Sequence, residues 1–446
     1  MQRRNFLKTA SWAALAQLAD VSPLRSMAAF AQNSTASDYK AIVCLFMRGG
    51  NDSNNMLVPL ASSQYNAYSQ ARGSSAVAQG ELQALANSNY GLNPAFSNLK
   101  QAYASGNAAM IANVGPLVQP TTVAQYRATS VQIPRLLMAH DDQQEAWESG
   151  AYEPGVGPSW AGLTSDLLSP NYNSPGLPMV TLVGEATNFG RGQNSAPFTA
   201  SPGAQQANFW CSDGGIMCYP RDAAAQQLLT FSNGVNLLQA DQQIYQQAYK
   251  YNKFYNGVLA DAKGFRTNFP SRNPLSGALY TVATMMQLRN EIGAKRQIFL
   301  IDANGFDTHG GQDAIQPALY GMIDQAVGTF VQVMQEIGLY NNVTLFTASD
   351  FSRTLSMNSA NGSDHAWGGH HFVVGGAVKG GRVIGSLPNL QLGGPDDIDG
   401  SGRFVPTTAL SQYMATLASW FGVPNSALGT MFPGLTNFPT TNLGFV

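Results

Sequence analysis

Cysteine is scarce in this sequence, with three residues among 446. None of them forms a Cys-x-x-Cys pair, which excludes a zinc-thiolate site. Cys211 and Cys218 enclose a short glycine-containing loop. Because a short loop closes at little entropic cost, we predict a disulfide between them. Cys44 lies in an apolar run and is expected to be a small buried hydrophobic residue.

Charged residues are also few, at 11% of the chain, and 24 Lys and Arg nearly balance 26 Asp and Glu. The formal net charge of -2 gives no reason to expect nucleic acid or an anionic membrane as a partner. Gly, Asn, Gln and Ser are abundant instead. A surface of amides and hydroxyls fits an extracytoplasmic protein.

Long hydrophobic runs are absent from the sequence, so stable membrane insertion is not expected. The N-terminus carries Arg3 and Arg4, a short apolar run through Leu18, and a small-x-small site that ends at Ala31. This pattern predicts a twin-arginine signal peptide over residues 1–31 and a periplasmic or secreted protein. The twin-arginine translocase is then the expected partner during export. The alternative is an ordinary amphipathic N-terminal helix.

Several apolar runs predict buried strands. They are Ala41–Met47, Ala108–Val114, Met179–Val183, Gln297–Ile301, Val343–Thr347 and Phe372–Val374. Near-continuous apolar runs are typical of strands that are buried on both faces of a parallel sheet. Ile315–Ile337 repeats apolar residues at helical spacing, and Thr407 and Thr408 are placed to cap a second helix that carries Leu410 and Phe421.

This alternation predicts an α/β fold with a mainly parallel central sheet and helices on both faces, in which ligands gather at the carboxyl ends of strands. We expect residues 32–446 to form one such domain. The stretch 188–276 is rich in Gln, Asn and Tyr and includes a polar helix near Gln239–Leu259. It is interpreted as a mostly helical insertion that forms a cap.

Histidine occurs five times, each time close in sequence to an Asp or another His. The histidines are His140, His309, His365, His370 and His371, and the acidic companions are Asp52, Asp141, Asp142, Asp307, Asp350 and Asp364. One such histidine would more often be structural, but all five lie in loops beside predicted strands. Imidazole and carboxylate groups are ligands for divalent ions, here zinc first, with manganese or calcium as alternatives. The set is large enough for two ions. Two ions could hold the attacking oxygen and the leaving oxygen of a displacement at phosphorus.

Five segments together resemble the bacterial family called domain of unknown function 1501. They are Arg48–Asp52, Pro134–Gln144, Gly305–Gln312, Ser349–Thr354 and Gly362–Gly376. The twin-arginine start fits the same family, and the resemblance covers essentially the whole mature chain. That family is similar to the alkaline phosphatase and sulfatase superfamily, so the resemblance implies an alkaline-phosphatase-like fold.

The resemblance also implies roles for single residues. One metal would be held by Asp52, Asp350 and His365, and another by Asp307, His309 and His371 or His370, with Asp364 as a further candidate ligand. The nucleophile of the superfamily starts a helix after the second strand, which here is the region of Ala139, His140 and Asp141. His140 and Asp141 are therefore the candidate catalytic residues of this region.

The sequence departs from the superfamily at the nucleophile, because Ala139 has no hydroxyl. Covalent catalysis would need Ser53 or Thr308, and the other route is a metal-bound hydroxide. The sulfatase signature, Cys or Ser followed by x-Pro-x-Arg, is absent. The segment Cys218–Arg221 fails its spacing by one residue.

Two arginines have two interpretations each. Arg48 could donate to a phosphate or sulfate group as a bidentate partner, or could form a structural salt bridge with Asp52. Arg353 has the same two interpretations, as a catalytic donor or as a structural cation.

These observations support two functions. The first is an exported metal-dependent hydrolase of phosphate or sulfate esters, acting on a small-molecule or polymer ester. The alternative is a non-catalytic cell-envelope or secretion-associated protein that keeps the fold. For the hydrolase, six of the predicted ligands should converge within about 10 Å, with His140 at the rim. They are Asp52, Asp307, His309, Asp350, His365 and His371.

Export can be tested at the arginine pair. Replacing Arg3 and Arg4 together with Lys should leave unprocessed precursor in the cytoplasm, because the transport receptor recognises the two arginines. Cell fractionation and immunoblotting measure this. Normal periplasmic processing of the double variant would contradict the signal-peptide prediction.

Overall fold

The centre of the protein is a nine-stranded, mainly parallel sheet. A computed structural model describes residues 39–152, 157–203, 218–230 and 236–446, so the predicted signal peptide lies outside the described residues. The strands are β1 Lys40–Met47, β2 Leu57–Pro59, β3 Gln83–Ala84, β4 Tyr90–Leu92, β5 Ala108–Gly115, β6 Val180–Val183, β7 Phe198–Ala200, β8 Arg296–Ala303, β9 Val343–Ser349, β10 Gly369–Val374, β11 Val383–Ile384 and β12 Thr408–Ala409. The large sheet has the order β11-β5-β10-β9-β1-β8-β6-β7, with β12 beside β5, while β2, β4 and β3 form a small antiparallel sheet.

The three central strands end at the same level. β1 lies between β8 and β9 and is parallel to both, and Met47 pairs in register with Ala303 on one side and with Ser349 on the other. The loops that follow these strands therefore start side by side at one edge of the sheet. This is the edge at which an α/β fold gathers its ligands.

β10 corrects the expectation that Phe372–Val374 is a parallel strand. It runs antiparallel to both β9 and β5 and begins earlier than expected, at Gly369. Because its direction is reversed, its amino end meets the carboxyl ends of its neighbours. Residues that precede β10 thus lie at the same sheet edge as residues that follow β1, β8 and β9.

Helices cover both faces of the sheet. They are α1 Ser62–Arg72, α2 Ser97–Ala104, α3 Val123–Arg127, α4 His140–Ser149, α5 Trp160–Tyr172, α6 Cys218–Thr230, α7 Asn236–Leu259, α8 Ser276–Gln287, α9 Arg289–Ile292, α10 Gln312–Glu336, α11 Leu410–Phe421 and α12 Asn425–Met431. The predicted α/β class, its six strands and its two long helices are confirmed. No helix of the described part of the chain is both long enough and apolar enough to cross a membrane.

Side chains of β1 alternate between two hydrophobic cores. Val43 and Leu45 face the core that α8 and α10 cover, while Ile42 and Cys44 face the core that α5 and α11 cover. Cys44 is a free, buried thiol whose pKa is raised by burial, as expected for a small hydrophobic residue.

One predicted helix cap is wrong. The residue before α11 is Ala409, whose backbone N–H donates to Oε1 of Gln412 at 2.9 Å. Thr408 lies in β12 and donates its hydroxyl to the carbonyl of Ala112 at 3.0 Å. Thr408 therefore pairs within the sheet and does not cap α11.

The segment 188–276 is partly built into the main fold. Its strand β7 pairs with β6, and Tyr255 of α7 stacks on Phe198 of β7 with ring centroids 4.4 Å apart. The role of this segment as a cap stays a prediction. Cys211 and the side chain of Cys218 lie outside the described residues, so the disulfide also stays a prediction.

Candidate metal centre

Four side chains converge at the sheet edge. Asp307 and His309 lie in the loop after β8, His140 is the first residue of α4, and His365 lies in the loop before β10. The Nε2 atoms of His309, His140 and His365 are 3.2, 3.6 and 3.6 Å from Oδ1 of Asp307. Ligand atoms of His140, Asp307 and His365 all lie within 4.8 Å of one another, and His309 adjoins this set through Asp307 and His365. The four residues are up to 225 positions apart in sequence (140 to 365).

The opposite nitrogen of each imidazole faces an acceptor oxygen. The Nδ1 contacts are Oδ2 of Asp350 for His140 at 2.6 Å, Oδ1 of Asp364 for His309 at 3.2 Å, and the carbonyl of Met138 for His365 at 2.7 Å. An acceptor at Nδ1 assigns the proton of a neutral ring to that atom and leaves a lone pair on Nε2. With this assignment the lone pairs belong to the Nε2 atoms, which lie nearest Asp307 in all three rings, as in imidazole ligands of a metal ion.

The spacing of the donor atoms fits a single small cation. In a tetrahedral zinc site with bonds of about 2.0–2.1 Å, neighbouring donors lie about 3.3 Å apart. The contacts with Asp307 bracket that value, and Nε2 of His309 lies 2.9 Å from Nε2 of His365. Two lone pairs at this distance repel each other unless a cation or a proton lies between them. The donor set is therefore compatible with a shared proton and with a divalent ion.

Neighbouring groups and burial shift the pKa values of the candidate ligands. The hydrogen bond that His140 donates to Asp350 raises the pKa of His140 above its ordinary value, whereas burial lowers the pKa of His365. Burial opposes ionisation of Asp307, but the bonded Arg353 outweighs it and lowers the pKa of that carboxyl group. Asp307 is therefore anionic at neutral pH.

Asp350 and Asp364 contact the Nδ1 atoms of His140 and His309, whose Nε2 atoms lie near Asp307. Besides contacting His140, Asp350 accepts hydrogen bonds from the backbone N–H of Gly49 at 3.2 Å and from the amide of Gln144 at 2.9 Å. The predicted role of Asp350 and Asp364 as metal ligands is corrected by these contacts: each carboxylate orients a histidine.

Arg353 is a structural cation with all its donors in use. Its guanidinium is fully buried and contacts Oδ1 of Asp307. The other acceptors are the carbonyls of Gly49, Gly50 at 3.0 Å, Phe306 at 3.2 Å and Ser363 at 3.0 Å. It also lies 3.4 Å from Nε2 of His309. Arg353 thus positions Asp307.

Arg48 is likewise committed, but not to the expected partner. Its guanidinium donates to Asp302 at 2.8 Å, to Glu148 at 3.1 Å and to Gln144 at 3.0 Å. The predicted salt bridge with Asp52 is wrong, because Asp52 is occupied elsewhere.

Asp52 does not join the cluster. Its Oδ1 accepts from Arg72 at 2.5 Å, its Oδ2 accepts from Gln312 at 2.5 Å, and both charged side chains are fully buried. A buried carboxylate needs a counter-charge, and here the guanidinium of Arg72 supplies it. The expectation that Asp52 binds metal is therefore corrected.

His370 and His371 also lie apart from the cluster. Nδ1 of His370 accepts the backbone N–H of Asn113 at 3.0 Å, which places the ring proton on Nε2 and leaves that atom no lone pair for a metal. The ring of His371 packs 4.7 Å from that of Trp147. Burial lowers the pKa of each histidine to about 3, so both are neutral core residues rather than the predicted ligands.

The remaining candidates lie outside the focus. Asp141 is exposed in the first turn of α4, where a carboxylate favours the helix N-terminus. The hydroxyl of Thr308 is buried and donates to Gln312 at 2.9 Å. The hydroxyl of Ser53 is buried, lies 3.0 Å from that of Ser352 and accepts the backbone N–H of His370. None of these hydroxyls faces the cluster.

Sequence reasoning missed three contributors, namely Gln144, Arg72 and the carbonyl of Met138. Gln144 lies four residues after His140 and thus on the same face of α4, which is a signal that could have found it. Met138 acts through its backbone, and Arg72 lies in α1, so neither left a local pattern.

The Asp52–Arg72 pair can be tested by a double-variant cycle. Arg72→Met should lower the free energy of unfolding by about 3–5 kcal/mol, because it leaves a buried charge unpaired. Adding Asp52→Asn should recover part of the loss. Urea denaturation measures both effects. Loss of bound metal on Asp52→Asn alone would contradict the structural role.

The buried histidines predict acid sensitivity. The unfolded chain protonates His371 near pH 6.5 but the folded protein does so only near pH 3, so stability falls as pH decreases below about 6.5. His371→Phe should remove about 1.4 kcal/mol of this loss per pH unit below about pH 6. Urea unfolding at pH 7, 6 and 5 measures the slope. An unchanged slope in the variant would contradict the neutral state of His371.

Comparisons with known proteins match one family model to part of the chain. The family model described as "Protein of unknown function (DUF1501)" matches residues 222–396. A search of curated proteins finds no match. Solved structures with similarity include a sulfatase, PsFucS1, from Pseudoalteromonas sp. (12% identity, 88% of this chain and 70% of that chain, TM-score 0.32).

Two further structures are a protein in the alkaline phosphatase superfamily from Vibrio parahaemolyticus (12% identity, 95% and 76%, TM-score 0.33) and a phosphonate monoester hydrolase of Agrobacterium radiobacter (9% identity, 86% and 74%, TM-score 0.34). The family match includes Asp307, His309 and His365 of the cluster. The resemblance to the DUF1501 family that the sequence motifs predicted is thereby confirmed over residues 222–396.

Proposed function

We propose that this chain is an exported hydrolase of phosphate or sulfate esters that uses one divalent metal ion, held by His140, Asp307 and His365, with His309 as the fourth candidate ligand. The observation that carries the proposal is the convergence of three imidazole Nε2 atoms on one carboxylate oxygen. The motif resemblance to a family that is similar to the alkaline phosphatase superfamily directs the chemistry toward these esters. Export rests on Arg3 and Arg4.

The donor set favours zinc. Three nitrogens and one carboxylate oxygen suit zinc, and manganese remains an alternative. Calcium fits poorly, because it takes six to eight oxygen ligands. When bound, the ion would polarise the ester and lower the pKa of a water molecule to about 7.

The residues around the ion have distinct tasks. Asp350 holds the proton of His140 on Nδ1, and Asp364 does the same for His309. Arg353 keeps Asp307 ionised. These contacts fix the ring orientations before a substrate arrives, which is the preorganisation that catalysis requires.

Water is the attacking group in this proposal. Ala139 precedes α4 where the superfamily has its hydroxyl, and the hydroxyls of Ser53 and Thr308 are buried and already bonded. No covalent intermediate on these side chains is therefore proposed.

The second candidate function is a non-catalytic exported envelope protein that keeps the ion as a structural element. Two observations favour it, namely Ala139 at the helix start and the occupation of Asp52 by Arg72. Metal content with an activity screen separates the two functions.

The metal centre can be tested with matched histidine variants. Purified protein should hold one divalent ion per chain by elemental analysis. His365→Ala and Asp307→Asn should each lose the ion and lower esterase kcat/KM at least about 100-fold, because they remove a ligand. His371→Phe is the control and should retain both the ion and the activity.

Three outcomes would contradict the single-metal hydrolase. Esterase activity that survives in metal-free protein would defeat the metal mechanism. One ion without activity on phosphate monoesters, phosphate diesters or sulfate esters would support the envelope protein. Two ions per chain would contradict the single centre.

A further inference from the structure

The candidate metal centre is rich in negative charge. Three carboxylates, those of Asp307, Asp350 and Asp364, surround the imidazoles within hydrogen-bond or ion-pair distance. Asp307 and Asp364 are each about half exposed, at 50% and 49% of the side chain. A substrate that approaches the focus therefore meets two carboxylates that are open to solvent.

The donors of the nearby arginines are bound to protein groups. The donors of Arg353 bind Asp307 and loop carbonyls, and those of Arg48 bind Asp302, Glu148 and Gln144. Arg353 is fully buried and Arg48 is nearly so.

A third arginine, Arg403, is also committed. Its Nε donates to the carbonyl of His365 at 2.6 Å, and its Nη1 contacts Asp399 and Ser401. Among the described residues, Arg353 and Arg48 thus have every guanidinium nitrogen engaged, and Arg403 is held through Nε and Nη1. Bidentate arginine contacts are the usual means of binding a doubly charged phosphate.

A divalent ion would bring the centre only to neutrality. With neutral imidazoles, the three carboxylates are balanced by Arg353 and the ion together. In a centre of zero net charge, a second negative charge meets no unbalanced cation, while Asp307 and Asp364 repel it and its larger loss of hydration opposes binding.

We infer that the ester group bound at this centre carries a single negative charge, as a phosphodiester or a sulfate ester does, and that doubly charged phosphate monoesters are disfavoured. The inference rests on the proposed function and narrows its substrate class. A phosphate monoester carries about two negative charges at pH 8, because its second proton leaves near pH 6. A phosphodiester and a sulfate ester retain one.

Binding of two matched probes tests the inference without turnover. Phenylphosphonic acid is doubly charged at pH 8, and its monomethyl ester carries one charge on nearly the same atoms. Titration calorimetry on the metal-loaded protein should give at least tenfold tighter binding of the monomethyl ester. Equal or tighter binding of the acid would overturn the inference.

A charge variant tests the cause. Asp364→Asn keeps the size of the side chain and removes one exposed charge. It should improve the affinity for the acid several-fold relative to the ester. Asp261→Asn is the control, because Asp261 is an exposed carboxylate after α7 and should leave the ratio unchanged. An unchanged ratio in Asp364→Asn would show that the carboxylates do not set the preference.

Arg135 provides a check for a cation from outside the cluster. It is exposed in the loop before α4. Arg135→Gln should leave the affinity for the acid unchanged, and a tenfold loss would overturn the inference by showing that Arg135 clamps the second charge.

Hydrolysis assays separate this inference from the proposed function. With an aryl phosphate, an aryl methyl phosphate and an aryl sulfate, we expect the highest kcat/KM for one of the two singly charged esters. If the aryl phosphate is the best substrate, the inference fails and the hydrolase stands. If no ester is hydrolysed and neither probe binds, both fail.

Discussion

The buried guanidinium of Arg353 is the contact on which the candidate site depends. It joins the loop after β1, through Gly49 and Gly50, to the loop after β8, through Phe306 and Asp307. It also reaches Ser363 before β10. A cation in the protein interior is tolerated only when its hydrogen bonds and its charge are satisfied, so these loops must meet in one arrangement. The position of Asp307 follows from that arrangement.

Much of the fold could be predicted from the sequence. Apolar runs such as Ala41–Met47 and Val343–Thr347 are long, β-branched and followed by polar residues, and each became a strand of the main sheet. The same reasoning placed Asp307, His309 and His365 at one sheet edge, because loops at strand ends share that edge in a parallel sheet. His140 is closer to the focus than the rim position that was predicted for it.

The errors come from partners that are distant in sequence. A chain cannot show locally that Asp52 will be neutralised by Arg72 of α1, or that Asp350 will turn toward His140. An apolar run in the sequence predicts a buried strand but does not show the direction in which that strand runs in the sheet. His370 and His371 resembled a ligand pair, but they belong to an antiparallel strand in which both side chains are buried. The identity of a ligand is thus set by tertiary contacts, while its neighbourhood is set by the strand pattern.

The register of β1 has a consequence for biosynthesis. Lys40 pairs with Arg296, and Met47 pairs with Ser349, so the first strand has no neighbour in the sheet until the ribosome has passed the two-thirds point of the chain. Closing such large loops is slow and leaves apolar segments uncovered in the nascent chain. His365 emerges later still, and the four donors therefore assemble only after synthesis is nearly complete. A twin-arginine translocase carries proteins that have already folded. On the proposed export route, the metal ion would therefore be drawn from the cytoplasmic pool rather than from outside the cell.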